Sequence, residues 1–197
     1  MPPSLRTPRL LLRPFCADDA AALAERRSDP EVARYVLWNT PYTMEQAHSL
    51  IEKSMWRGHV RPGEGVQIVM ELPNGQAAGD LAVMAQPDDI PEMRQAMIGF
   101  TVARAHQGQG YATEAARAVV EALFRGGIFS EHPIHRISAI CDVENVASRR
   151  VLERLGMRRE SHLVENIFFK GAWGSEYTYG ILRREWDSRL TGAPDHC

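Results

Sequence analysis

The sequence predicts a mixed β-sheet flanked by helices, and three observations carry that reading. Short apolar or alternating runs fall between amphipathic segments, in the order strand, helices, three strands, helix, strand, helix, two strands. The chain has 197 residues, 44% hydrophobic and 24% charged, which suits one sizeable core. Gly108 and Gly110 stand where an apolar run (96–102) passes directly into an amphipathic helix.

Each element follows from local chemistry. Arg-Leu-Leu-Leu-Arg at 9–13 reads as a short buried strand stopped by Pro14. Asp18 is expected to cap a helix running to about Arg27, which Asp29-Pro30 then breaks. A second short helix carries Val32 and Val36, and 38–42 is a loop. Thr43 with Gln46 makes a capping box for a helix through Leu50, Ile51 and Met55. The glycine-rich stretch 57–65 is a linker. Residues 66–70 alternate, turn at Pro73-Asn74-Gly75, and return over 79–84 as a hairpin. A polar loop, 86–95, precedes the strand 97–102.

After the glycines, Ala112, Ala115, Ala116, Val119, Val120 and Leu123 form one apolar stripe at helical spacing. A strand follows at 134–141. The helix 145–155 turns Val151, Leu152 and Leu155 inward and is closed by Gly156. Residues 160–184 read as two strands joined at 170–174. A single domain over 5–186 and a tail over 187–197 complete the organisation.

Bulk properties narrow the function. A net charge of −2 gives no general pull toward nucleic acid or a membrane surface. The arginines at 149, 150, 154, 158 and 159 read as a solvated helix face. Cys16, Cys141 and Cys197 show no CxxC spacing, and no histidine stands at metal-like spacing from them. Reduced thiols and no metal are therefore expected. With no signal-peptide apolar region and no run near the ~20 apolar residues of a spanning helix, a cytoplasmic location is expected.

The glycine loop carries the chemistry. Glycine lets the backbone turn sharply and approach a ligand, and a helix N-terminus adds partial positive charge. Together they suit a phosphate or diphosphate. A Walker loop needs Gly-Lys-Ser/Thr, but Gly110 is followed by Tyr111-Ala112. A dinucleotide fingerprint needs a third glycine, which is missing.

Gln107-x-x-Gly110-x-Ala112 resembles the Gln/Arg-x-x-Gly-x-Gly/Ala signature of the GNAT superfamily of N-acetyltransferases. The run 103–115 looks like the RimJ/RimL ribosomal-protein branch. Arg6-Thr7-Pro8-Arg9-Leu10-Leu11-Leu12-Arg13 resembles that branch's opening strand. Residues 145–158 resemble its Asn-x-x-Ser-x-x-Val-Leu-Glu-x-Leu-Gly-Phe segment.

The resemblance implies the GNAT fold: a central, mostly antiparallel sheet of about seven strands, splayed in a V, with about four helices. It implies acetyl-CoA as donor. The pyrophosphate would lie on Gln107, Gly108, Gln109, Gly110, Tyr111, Ala112 and Thr113, and the pantetheine along Phe100, Thr101 and Val102. An N–H there would hold the developing oxyanion. Asn145 resembles the pantetheine-binding asparagine and also suits a helix cap. Ser148 is the implied acid for the departing thiolate, since Leu152 occupies the place of the tyrosine many relatives use.

Met97 and Ile167 occupy positions where relatives carry acids, so Glu165, two residues before Ile167 and hence on the same strand face, is the expected base. Glu160 is read as structural and His106 as loop. Trp38, Tyr42 and Trp56 are expected around the acceptor, a protein N-terminal α-amine or a small-molecule amine. Direct attack in a ternary complex is expected, because Cys141 has no partner base by motif. No nucleic acid or membrane partner is expected, and a homodimer is compatible with the reading. The alternative is a non-catalytic acyl-CoA-binding or sensing module.

Overall fold

The computed structural model describes residues 4–56, 60, 63–85, 94–127 and 132–191. Eight strands form one sheet: β1 (Leu5–Arg6), β2 (Leu11–Pro14), β3 (Gly65–Glu71), β4 (Ala77–Ala85), β5 (Gln95–Val102), β6 (Arg136–Asp142), β7 (Arg158–Phe169) and β8 (Ala172–Leu182). Their spatial order is β1-β2-β3-β4-β5-β6-β8-β7. Every neighbouring pair is antiparallel except β5 and β6, which run parallel. Six α-helices accompany them among the described residues: α1 (Ala20–Ser28), α2 (Pro30–Ala33), α3 (Met44–Lys53), α4 (Tyr111–Arg125), α5 (Val146–Arg154) and α6 (Arg183–Thr191).

The GNAT-type mixed sheet is thus present, with eight strands against about seven expected and six helices against about four. The extra strand is β1, a two-residue arm paired with β2. Helix α6 occupies part of the stretch read as a tail. Its anchor is tertiary: Trp186 is 3% exposed and lies 6.0 Å from the Phe124 ring.

Alternation along the strands divides the sheet. Val66, Ile68, Leu81, Val83 and Ile98 face α4, whose stripe Ala115, Ala116, Val119, Val120 and Leu123 is fully buried against them. Burying the valine, leucine and isoleucine side chains contributes about 1.5–3 kcal/mol each. On the other face Phe15, Leu23, Tyr42, Ile51 and Val69 pack under α1 and α3.

Several local readings need correction. Asp19, not Asp18, accepts the Cys16 N–H at 2.8 Å and pairs with Arg13. A 3-10 turn, Ala17–Asp19, then leads into α1. Helix α2 stops at Ala33, leaving Val36 in the following turn. The Thr43–Gln46 box forms in both directions, at 3.2 and 2.8 Å. Helix α3 nevertheless ends before Met55, where the Ser54 hydroxyl bonds back to the Leu50 carbonyl at 2.6 Å. Residues 86–93, most of the expected polar loop, and Cys197 lie outside the described residues. No helix among the described residues is long and apolar enough to cross a membrane.

Candidate active site

The parallel pair β5–β6 is joined over three residues alone: Gln95 with Arg136, Ala96 with Ile137, and Met97 with Ser138. Beyond Met97, β5 keeps β4 on one side, through Val102 with Gly79, while its other edge is open. The Ala103 N–H bonds to Ala78 at 2.8 Å, on the β4 side. Alternation therefore directs the N–H and C=O groups of Val102 and Phe100 toward the open edge, whereas the Ile98 N–H still serves the last bridge, Met97 with Ser138. The Gln107 amide already occupies the Val102 carbonyl, at 3.1 Å.

A cavity of about 320 Å3 fills this wedge. Cross-strand register builds its floor: Gln67, Ala82 and Gly99 stand in one row, Val69, Asp80 and Thr101 in the next. A Cβ added at Gly99 would meet nothing within 4 Å, so its missing side chain is open cleft. Phe100, Thr101, Ala139, Cys141, Asn145, Ser148, Leu152, Arg27 and Trp38 also line it.

At the end of β5 the glycine loop turns into α4. Gly108 and Gly110 take φ of +74° and +84°, a left-handed conformation that favours glycine. The first backbone bond of the helix is Glu114 N–H to the Gly110 carbonyl. The amides of residues 108–113 donate to no protein group among the described residues, and the buried Thr113 hydroxyl has no partner either. This row of free donors, reinforced by the helix terminus, is what a diphosphate requires.

The loop is braced from β1–β2. Arg9 bonds to the Gln109 carbonyl at 2.9 Å and to Glu114 at 2.7 Å, and lies 4.6 Å from the Tyr111 ring centroid. Partial burial pushes the Glu114 carboxyl upward, but bonds from Thr7 and Arg9 outweigh it and hold the carboxyl below its usual range. His106 sits in a 3-10 turn beside Tyr111.

Across the wedge, Asn145 caps α5 by accepting the Ser148 N–H at 3.0 Å. Its amide NH2 and the half-buried Ser148 hydroxyl have no partner among the described residues. The cap therefore leaves the Asn145 amide NH2 free beside the cleft. Cys141 lines the same wall, where burial is the main cause that pushes its thiol up to about 11. It is a protonated thiol at neutral pH.

The three aromatics expected around the acceptor separate. Trp38 lines the cleft, donates to the Arg27 carbonyl at 3.1 Å and stacks under the Arg27 guanidinium at 4.0 Å. Tyr42 is buried behind it, bonded to Arg27 and to the Gln46 carbonyl. Trp56 packs against the main core instead.

Glu165 departs from the expectation of regular alternation. The register passes from Leu163 opposite Glu176 to Ile167 opposite Gly174, so two extra residues bulge from β7. Glu165 takes φ of +46° there, is exposed, and gives its N–H to Ser175. It is not among the residues that line the cleft. Glu160 is structural, bridging Arg136 and Arg158. The arginine run is not a uniformly solvated face. Arg149 is half-buried, bonded to the Val143 carbonyl and set over Tyr177, and Arg159 also faces that ring.

Residues far apart in sequence make the charged wall of the cleft among the described residues. Arg26 Nη2 reaches Asp80 Oδ1 at 2.7 Å, and Arg27 Nη2 reaches Oδ2 at 3.4 Å. The Thr101 hydroxyl donates to Oδ1 at 2.6 Å. Burial alone would raise the Asp80 carboxyl, but the two guanidiniums and Thr101 hold it low.

A family model described as an acetyltransferase (GNAT) domain matches residues 9–158. An uncharacterized N-acetyltransferase, YnaD of Bacillus subtilis (strain 168), is 30% identical over 193 residues, covering 93% of this chain and 99% of that protein. A GNAT-family acetyltransferase structure from Bacillus anthracis superposes with a TM-score of 0.78 at 30% identity, covering 93% of this chain and 100% of that one. Mycobacterium smegmatis RimJ in complex with CoA-disulfide has the same fold, with a TM-score of 0.75 at 23% identity over 100% and 98% of the two chains. So does the Vibrio cholerae spermidine N-acetyltransferase in complex with CoA and spermine, with a TM-score of 0.75 at 22% identity over 91% and 99%.

Proposed function

Because the chain belongs to the GNAT acetyltransferase family, we propose that it transfers an acetyl group from acetyl-CoA to a primary amine by direct attack in a ternary complex. One observation carries the reading: the six free amides of 108–113 lead into the wedge where β5 parts from β6. An anion-binding row and an open strand edge, end to end, match a donor with a diphosphate at one end and an amide-bearing thioester arm at the other.

The residues divide the work. The amides of 108–113 and the Thr113 hydroxyl take the diphosphate. The open edge at Val102 and Phe100 takes the arm as an added strand would. The Phe100 N–H is suited to polarise the thioester carbonyl and hold its oxygen as charge develops. The amine nitrogen bonds to the carbonyl carbon, and the C–S bond breaks as the tetrahedral intermediate collapses. Ser148, directly or through an oriented water, returns a proton to the sulfur.

The amine must first lose its proton, since ammonium predominates at pH 7. The ionisable residues lining the cleft are Arg27, Tyr35, Asp80 and Cys141 among those described. Both Asp80 oxygens are already engaged. We assign the amine's proton to cleft water, which favours acceptors of lower amine pKa. Thiol release from acetyl-CoA across an amine panel tests the proposal. Amine-dependent release is the expected result. Tight acetyl-CoA binding without turnover on any amine would refute it and leave a binding module.

A further inference from the structure

We propose that the acceptor carries a carboxylate close to its amine, and that Arg27 receives it; the inference rests on the acetyltransferase reading and names its second substrate. Arg26, Arg27 and Asp80 are buried together at 6%, 7% and 3% exposure. The charge does not balance: two guanidiniums share one carboxylate, and no other charged residue lines the cleft among those described.

The unbalanced member is Arg27. Both short bonds to Asp80, from Arg26 at 2.7 Å and Thr101 at 2.6 Å, fall on Oδ1, and Arg27 meets Oδ2 across a long 3.4 Å. The other end of the guanidinium reaches the Tyr42 hydroxyl, also at 3.4 Å, and Nε has no partner among the described residues. Five N–H donors therefore hold two weak bonds. A buried cation in this state is costly, and a carboxylate is the group its planar fork fits.

Trp38 holds the guanidinium in place, stacked at 4.0 Å, so Arg27 stays at the cleft wall instead of swinging to solvent. Beside it the floor is Ala82 and Gly99, with the unpartnered Gln67 Oε1 in the same row. That leaves a small space next to a cation and a buried hydrogen-bond acceptor. It suits an ammonium or amine N–H near Gln67 and a carboxylate near Arg27. A polycation such as a polyamine would meet the excess positive charge directly.

The chemistry has two sources, a free amino-acid-like molecule or an acidic side chain near a peptide N-terminus. The test measures kcat/KM at saturating acetyl-CoA for matched pairs: amino acids against their carboxamides, and short peptides with Glu against Gln beside the N-terminal residue. Spermidine is included. The wild-type enzyme is expected to favour the carboxylate member of at least one pair by about tenfold or more, in KM more than in kcat. The pair that shows the preference identifies the source.

Arg27→Gln is expected to abolish the ratio, and the wild-type ratio decides alone if that variant does not fold. Ratios at or below one in both pairs, or spermidine as the best acceptor, would overturn the inference while leaving acetyl transfer standing. Absence of thiol release with every amine, acetyl-CoA still binding, would overturn the reading beneath it.

Discussion

Replacing Gly110 with alanine separates two roles of one backbone conformation. Gly110 sits at φ +84°, where an L-residue costs about 1–2 kcal/mol. The added Cβ would meet only Arg9 Nη2 at 3.5 Å, an ordinary contact, so strain is the whole direct cost. Gly75, in the β3–β4 turn, has φ +82° and nothing within 4 Å of an added Cβ. Gly110→Ala and Gly75→Ala should therefore lose similar stability, a Tm lower by roughly 2–8 °C for a chain of this length. Donor affinity should part them. The alanine forces the loop away from its φ of +84°, and the amides of 110–113 lose alignment. Each hydrogen bond to a charged group is worth about 1.5–3 kcal/mol. Losing one weakens acetyl-CoA roughly tenfold to a hundredfold or more. Calorimetric titration with acetyl-CoA, beside thermal denaturation, reads both. Unchanged affinity in Gly110→Ala, at the same loss of Tm as Gly75→Ala, would refute the amide cradle.

Ser148→Ala should lower kcat by about tenfold to a hundredfold with little change in donor KM, because the serine acts on the leaving thiolate; an unchanged kcat in steady-state assays would remove that role. Asn145→Ala should lose its cap, about 1 kcal/mol, and also raise the donor KM, whereas Asn145→Asp should keep the cap's stability. Asp80→Asn should cost about 3–5 kcal/mol by stranding Arg26 and Arg27. The wild-type Asp80 carboxyl is held low in the folded state, so its stabilisation is full above the unfolded pKa of about 3.9 and fades as pH falls through the lower folded value. Acid titrations of Tm should accordingly be shallower below pH ~4 in Asp80→Asn. Cys141→Ala should turn over without loss of mechanism, since a thiol pushed up to about 11 is a poor nucleophile at neutral pH; an acetyl-cysteine detected by mass spectrometry would contradict direct attack.

What was legible in the sequence was local. Gly108 and Gly110 marked the loop because their geometry needs positive φ, and the α4 stripe showed its period without any tertiary knowledge. The Thr43–Gln46 box was readable for the same reason. The facing of Glu165 was not legible because period-2 alternation fails at a bulge, and nothing between Leu163 and Ile167 announces one. Helix α6 stayed hidden because its burial depends on Trp186 meeting Phe124 across the fold. The Arg26–Arg27–Asp80 wall could not be read at all. Its members lie 53 and 54 residues apart, and three ordinary charged residues carry no spacing signal.

The most direct measurement is a crystal structure with CoA bound. The expected result is the diphosphate on the amides of residues 108–113, the arm along the open edge of β5, and the sulfur beside Ser148 and the Phe100 N–H. A diphosphate bound elsewhere, or an arm that never enters the wedge between β5 and β6, would contradict it.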